Sequence, residues 1–191
     1  TIIVFDASGS MWAQIDGKTR IEIAKDTISN VIGTIPGDRE IGLMAYGHRE
    51  KGSCTDIEIL VPPAAGSGPA IIAATVKINP KGKTPLSDAV KRAAEELKFT
   101  EEKATVILVT DRLETCNADP CALGKELEQS GVDFTAHVVG FGLTAEDEQA
   151  FKSLWQRLAL SVDWSLEYST IDEHARRIAQ LSFLDLWKKG H

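Results

Sequence analysis

The sequence predicts an α/β fold: a doubly wound, mostly parallel six-stranded sheet with one antiparallel edge strand and helices on both faces. Three observations predict it. Strand-like and helix-like segments alternate almost throughout the 191 residues, the order that strand–helix–strand units produce. Residues 105–109 form a continuous β-branched and apolar run, the mark of a strand buried on both faces. Residues 40–46 and 56–61 read as strands joined by a polar loop, residues 47–55, too short for a helical crossover. Those two strands are therefore expected to run antiparallel. The length suits one well-cored domain spanning 1–191, with little left for a second.

The elements follow in chain order. Residues 1–5 are an apolar opening strand. A helix begins at Arg20, with Ile21, Ala24, Ile28, Val31 and Ile32 on one face. It ends near Pro36-Gly37-Asp38. The strand pair above comes next, then a loop over residues 62–68 and a short helix over 69–77. A second amphipathic helix spans 84–97, with Pro85 in its first turn and Leu86, Ala89, Val90, Ala93 and Leu97 on one side. After the strand at 105–109, a helix over 122–129 runs to Gly131, where a left-handed cap is easy. Residues 134–140 read as the next central strand. Helix 145–160, edge strand 162–168 and closing helix 171–188 complete the doubly wound, Rossmann-like order.

Composition excludes some function classes. The net charge of −7 argues against a nucleic-acid footprint, which needs a basic face. No apolar stretch approaches the roughly 20 residues that span a bilayer. The chain begins inside a strand, so the missing targeting segment says nothing about compartment. Cys116 and Cys121 bracket the turn-forming stretch Asn117-Ala118-Asp119-Pro120. A bridge between them is expected, which would indicate an oxidising compartment, with idle thiols in a reducing one as the alternative. Cys54 is then left over. The histidines, His48, His137, His174 and His191, are scattered, and no CxxC accompanies them, which argues against zinc.

The chemistry concentrates at strand ends. Asp6, Ser8 and Ser10 follow the first strand in a D-x-S-x-S pattern. Thr84 precedes a helix, and Asp111 ends the run Val106-Ile107-Leu108-Val109-Thr110. In a doubly wound sheet the loops after central strands converge on one rim, where ligands bind. Three loops would thus deliver two carboxylates and three hydroxyls to one point. Small oxygen donors carrying few charges suit Mg²⁺ or Mn²⁺ rather than zinc or copper.

These residues resemble the metal-ion-dependent adhesion site of the von Willebrand factor type A domain. The likeness covers nearly the whole chain, and the stretch Tyr46-Gly47-His48-Arg49 and the segment from Glu114-Thr115-Cys116 through Asp119-Pro120-Cys121 resemble bacterial, often exported members. The resemblance implies that Ser8, Ser10 and Thr84 coordinate Mg²⁺ (or Mn²⁺ or Ca²⁺) directly, while Asp6 and Asp111 act mainly through water. It implies a protein partner whose Asp or Glu carboxylate fills the open coordination position, and a periplasmic, secreted or cell-surface location. The family usually places Gly after the strand-ending Asp, where this chain has Arg112. Arg112 would compete with the metal, help hold a partner's carboxylate, or face solvent. Trp12, beside the pattern, would contact a partner or serve ordinary amphipathic packing, and His48 and Arg49 lie in a loop that would reach the same rim or merely solvate it.

Catalytic patterns fail. Gly82-Lys83-Thr84 resembles the end of a phosphate-binding loop, but Lys77 stands where its first Gly is required. Ser8 is not in G-x-S-x-G, because Asp6 occupies the first Gly position. A strand-end Asp nucleophile of the haloacid dehalogenase kind wants a second Asp where Ser8 stands. A binding module is the first reading. A recruitment subunit of an ATPase or chelatase-type complex is the second, and an Asp-dependent phosphotransferase a distant third.

Overall fold

The computed structural model describes residues 1–131, 133–140 and 142. Along them run β1 (Ile2–Asp6), a 3-10 turn (Gly9–Trp12), β2 (Gln14–Ile15), β3 (Lys18–Thr19), α1 (Arg20–Ile32), β4 (Ile41–Tyr46), β5 (Ile57–Ala64), α2 (Gly68–Lys77), α3 (Leu86–Glu96), β6 (Ala104–Thr110), α4 (Pro120–Ser130) and β7 (Phe134–Gly140). The described residues form a five-stranded sheet in the order β5-β4-β1-β6-β7. All neighbours are parallel except β4 and β5, which are antiparallel as the short loop requires. The sixth expected strand, residues 162–168, and helices 145–160 and 171–188 lie outside the described residues. The chain divides into two compact units, Thr1–Leu160 and Ser161–His191, the second wholly outside the described residues.

β1 is buried at every position, and its side chains alternate between two cores. Ile3 and Phe5 join Leu43 and Ala45 under Ile21, Ala24, Ile28 and Ile32 of α1 and Ile71 of α2. Ile2 and Val4 join Met44, Val106 and Leu108 under Leu86, Ala89, Val90 and Ala93 of α3 and Leu127 of α4. Period-2 alternation meeting helical periodicity from both sides is what makes this sheet central. α1 starts at a capping box, in which Thr19 and Glu22 satisfy each other's backbone amides.

Two local expectations are corrected, and one element goes beyond them. β5 runs on through Pro62 and Pro63, residues expected in a loop. It is an edge strand, so prolines remove no needed donor, and the ladder with β4 shifts register there. Gly131 is not left-handed. A Cβ there would lie 2.8 Å from the Leu127 carbonyl oxygen, so this glycine permits a close approach. Finally, Asp16 and Gly17, at φ 50° and 82°, turn a small β2–β3 hairpin. An Asp-Gly turn is a strong hairpin signal, but the strands it joins are only two residues each, too short for alternation to show.

Candidate metal centre

The parallel register builds the carboxyl edge of the sheet. Phe5 pairs with Val109, so Asp6 lies beside Thr110, and Asp6 pairs with Tyr46 on the other side. β1 is also where the strand order reverses, the position at which open α/β sheets bind ligands. Beyond Asp6 the chain enters the 3-10 turn, anchored by fully buried Met11. That anchor leaves Ser8 and Ser10 on one rim. Their hydroxyl oxygens are 3.0 Å apart, and Ser10 Oγ donates to Asp111 Oδ1 at 2.6 Å. Ser10's proton is thereby committed, so Ser8 donates to Ser10. Asp6 lies beneath, with Oδ1 accepting from the Ser8 amide at 2.7 Å and Oδ2 from Thr110 Oγ1 at 2.6 Å. Burial raises the Asp6 carboxyl above its ordinary range; the Thr110 and Ser8 donors oppose the rise, and the Asp111 charge adds to it. Tyr46 Oη donates in turn to Thr110 Oγ1 at 3.3 Å. Burial first, then the Asp6 charge, holds that phenol well above its ordinary value.

Backbone contacts bring Thr84 to the same rim. Ser8 pairs with Gly82 in an isolated parallel bridge, and the Gly9 amide donates to the Gly82 carbonyl at 3.0 Å. The Gly47 carbonyl accepts from the amides of Lys81 and Gly82 at 2.9 and 2.8 Å. Both glycines are required. Gly47 has φ 70°, and a Cβ on Gly82 would lie 2.7 Å from Gly47 Cα. Two residues on, Thr84 is held from behind. Its amide donates to Thr115 Oγ1 at 2.8 Å, and its carbonyl accepts from the Thr115 amide at 3.1 Å. The Thr84 hydroxyl is fully buried and has no hydrogen-bond partner. Glu114 reaches back to the start of α3, where its Oε2 accepts from the Ser87 amide at 2.9 Å. A carboxylate suits that positive helix end.

A guanidinium does face Asp111, but it is Arg20 and not Arg112. Arg20 Nη1 donates to Asp111 Oδ2 at 2.6 Å, with the two side chains 20% and 0% exposed. Its Nη2 donates to the Gly142 carbonyl at 2.9 Å. Arg112 is exposed, and its own backbone folds back on Thr110 Oγ1 through its amide and carbonyl at 3.3 and 3.0 Å. That turn carries the Arg112 side chain to solvent, one of the three readings open from sequence.

The expected contact residues divide. Trp12 is 51% exposed beside the site, and its Nε1–H donates to the Pro80 carbonyl at 3.0 Å, which fixes the ring. His48 instead turns toward β5. Its side chain is 11% exposed and its Nε2 lies 3.0 Å from Glu58 Oε2. His48 is thus committed to Glu58 on β5 and turned away from Ser8 and Ser10. The disulfide is also corrected: Cys54 bonds Cys116, 62 residues away, rather than Cys121. The reason lies in the same backbone weave. The loop carrying Cys54 follows Gly47, Gly47 binds Gly82, and Thr84 binds Thr115 beside Cys116. Sequence proximity alone favoured Cys121.

The donor set fits a hard divalent cation. Metal–oxygen distances of about 2.0–2.1 Å in an octahedron put neighbouring ligand oxygens about 3.0 Å apart, and Ser8 Oγ to Ser10 Oγ is 3.0 Å. The unpartnered, buried Thr84 hydroxyl is an acceptor in want of a donor or a cation. No cluster of three or more His, Cys, Asp or Glu that could hold a metal occurs among the described residues, so a softer, charge-rich site has no candidate there. Among those residues, too, no helix is long and apolar enough to cross a membrane.

Fold and site together define a class: an open α/β domain with a hydroxyl-rich, carboxylate-backed cluster at the switch point of its sheet. The family model of the von Willebrand factor type A domain matches residues 1–114, and the chain belongs to that family. The uncharacterized protein YwmD of Bacillus subtilis is 28% identical over 159 residues, 78% of this chain and 71% of that protein. A 48-residue stretch is 58% identical to valine–tRNA ligase of Rickettsia felis, 25% of this chain but 6% of that enzyme, too small a share to carry its activity. Solved structures share the fold at low identity. A von Willebrand factor type A protein from Catenulispora acidiphila has TM-score 0.62 at 20% identity, covering 94% of this chain and 41% of that one. Manganese-loaded TRAP protein of Plasmodium vivax has TM-score 0.61 at 16% identity, covering 93% and 70%. Proximal thread matrix protein 1 of the mussel byssus, with a zinc-occupied metal-ion-dependent adhesion site, has TM-score 0.58 at 19% identity, covering 94% and 45%. This chain thus spans less than half of the first and third of these structures.

Proposed function

We propose that the domain is a metal-dependent protein-binding module that captures an acidic side chain of a partner, and not a catalyst. The observation that carries the reading is the Thr84 hydroxyl, buried and unpartnered on a segment bridged to Ser8. Ser8, Ser10 and Thr84 would hold Mg²⁺, or Mn²⁺ or Ca²⁺ in its place. Asp111 would take the Ser10 proton and so orient that hydroxyl as an acceptor, while Asp6 would hold the Ser8 amide beneath the site. A cation held there supplies an open, electrophilic coordination position for a partner's Asp or Glu carboxylate. The three hydroxyls are neutral, so Asp6 and Asp111 alone bring negative charge and Arg20 offsets one of them. The fixed, exposed ring of Trp12 offers apolar contact beside that position, as interface aromatics do. Exposed Arg112 offers a guanidinium to the same partner. The manganese- and zinc-bearing relatives support a divalent ion in this fold. The Cys54–Cys116 bridge supports a periplasmic or extracellular setting.

Two measurements test this. Calorimetric titration with Mg²⁺ and Mn²⁺ is expected to show saturable one-to-one binding that Ser10→Ala abolishes. A pull-down with the native domain in Mg²⁺, in EDTA, and with Ser10→Ala in Mg²⁺ is expected to lose its partner in the last two. A partner indifferent to both treatments would sink the metal-dependent reading.

A further inference from the structure

We propose that Arg20 is a built-in counter-cation of this site: it occupies the outer oxygen of Asp111 and opposes metal binding until a carboxylate arrives. The inference rests on the metal-site reading above. Three features of the geometry point to it.

Arg20 has a prepared seat. The β2–β3 hairpin returns the chain so that the Arg20 amide donates to the Ala13 carbonyl at 2.8 Å, which starts α1 at the rim. Gly142, at φ 56°, leaves room for the guanidinium; a Cβ there would lie 3.0 Å from Arg20 Nε and 3.1 Å from Nη2. The seat also divides the two oxygens of Asp111. Oδ2 takes the guanidinium and Oδ1 takes Ser10, so the carboxylate shares one residue between a cation and a ligand hydroxyl. Finally, the seat is incompletely satisfied. Arg20 Nε is buried without a partner, so the guanidinium is held by two of its three nitrogens. A group held that way yields more readily than a fully bonded one.

The charge balance gives the consequence. Asp6 and Asp111 contribute −2 and Arg20 contributes +1, so a divalent ion enters a site of net −1 rather than −2. The filled site then carries +1, where it would be neutral without Arg20. Metal alone is held less tightly, and the remaining positive charge favours an anionic partner. Arg20 is thus a positioning and tuning residue that touches the site through Asp111.

The test is Mn²⁺ affinity of the intact domain, read from the free-ion signal in electron paramagnetic resonance. One unit charge acting on a divalent ion across about 6 Å of partly wet protein is worth about tenfold or more in affinity. Arg20→Met is expected to bind Mn²⁺ about tenfold more tightly than the native domain, and Arg20→Lys to stay within about threefold of native. Arg20→Gln, which keeps polar reach without charge, is the second variant should methionine impair folding, and tighter binding is expected there too. A residue that merely orients Asp111 would give the opposite sign. Unchanged or weaker Mn²⁺ binding in folded Arg20→Met and Arg20→Gln would overturn the proposal while leaving the metal site standing. Absence of Mn²⁺ binding in the native domain and all variants would overturn the site reading itself, and this inference with it.

Discussion

Asp6 and Asp56 are both buried aspartates at strand termini of one sheet, and their carboxyls are displaced in opposite directions. Burial raises both, and at Asp6 it prevails. At Asp56 it is outweighed by donors: the Glu50 amide at 3.0 Å, Arg49 Nε at 2.6 Å and the Arg49 amide at 2.7 Å. The Asp56 carboxyl therefore sits below its ordinary range. Asp56 is a finished network, tying Arg49 and Glu50 of the β4–β5 loop to the start of β5. Asp6 has one amide, one hydroxyl and a like-charged neighbour in Asp111. The difference teaches that burial does not mark a binding site. A shortage of positive charge around a buried carboxylate does, and here a single guanidinium, Arg20, makes up part of it.

The largest expected effect breaks the finished network. Asp56→Ala leaves two amides and the half-exposed Arg49 guanidinium without their acceptor and is expected to cost about 2–4 kcal/mol of stability in denaturant unfolding. Asp6→Asn is expected to stay within about 1 kcal/mol of native in metal-free buffer, because it removes a charge that burial penalises, and to abolish Mg²⁺ binding in calorimetry. Equal costs for the two substitutions would dissolve the comparison. The pH profile carries the same contrast. A depressed folded-state pKa adds stability that is present above the ordinary value of 3.8 and is lost as pH falls through the lower folded value. Metal-free stability is therefore expected to fall below about pH 3.8, with a shallower fall in Asp56→Asn.

Next in size is the staple between the two regions. The Cys54–Cys116 bond joins the Asp56 loop to the segment whose Thr115 holds Thr84. Closing a loop across 62 residues is worth about 4 kcal/mol in the chain-entropy account, and measured bridges more often give about 2–4. Cys54→Ser is expected to cost about that much, and also to weaken Mg²⁺ binding, because Thr84 loses part of its backing. Destabilisation with unchanged Mg²⁺ affinity would show that Thr84 is positioned by Gly82 and Gly47 alone.

How much of this was legible in the sequence depends on distance along the chain. Asp6, Ser8 and Ser10 form a local pattern on a strand end, and Thr84 and Asp111 mark a helix start and another strand end, so element order alone delivers all five to one edge. The helix faces were equally readable, because Ile21, Ala24 and Ile28 repeat at helical spacing and are buried as expected. The Arg20–Asp111 pair joins residues 91 apart and the disulfide residues 62 apart. Neither leaves a periodic trace. Both depend on how a short hairpin and two touching glycines, Gly47 and Gly82, steer backbone across the rim. No hydrogen-bonding role at the site is legible in the sequence for Tyr46 or Thr110. Their roles follow from parallel register with Asp6, which sequence periodicity does not set across strands.

The smallest expected effect gives the sharpest test of Thr84. Thr84 carries a fully buried hydroxyl with no partner, and an unsatisfied buried polar group costs about 1–3 kcal/mol. Valine replaces that hydroxyl with a methyl of similar volume and keeps the amide and carbonyl bonds to Thr115. Thr84→Val is therefore expected to leave the metal-free domain equally stable or up to about 1 kcal/mol more stable, roughly 3 °C in Tm. The rise in Tm that saturating Mg²⁺ gives the native domain is expected to vanish in the same variant. A substitution that improves the empty protein and removes its response to metal would mark Thr84 as a residue kept for the cation. A metal-free loss above about 1 kcal/mol would mean that the hydroxyl already has a bond of its own. A preserved Mg²⁺ shift would remove Thr84 from the site and leave Ser8, Ser10 and Asp111 to hold the ion without it.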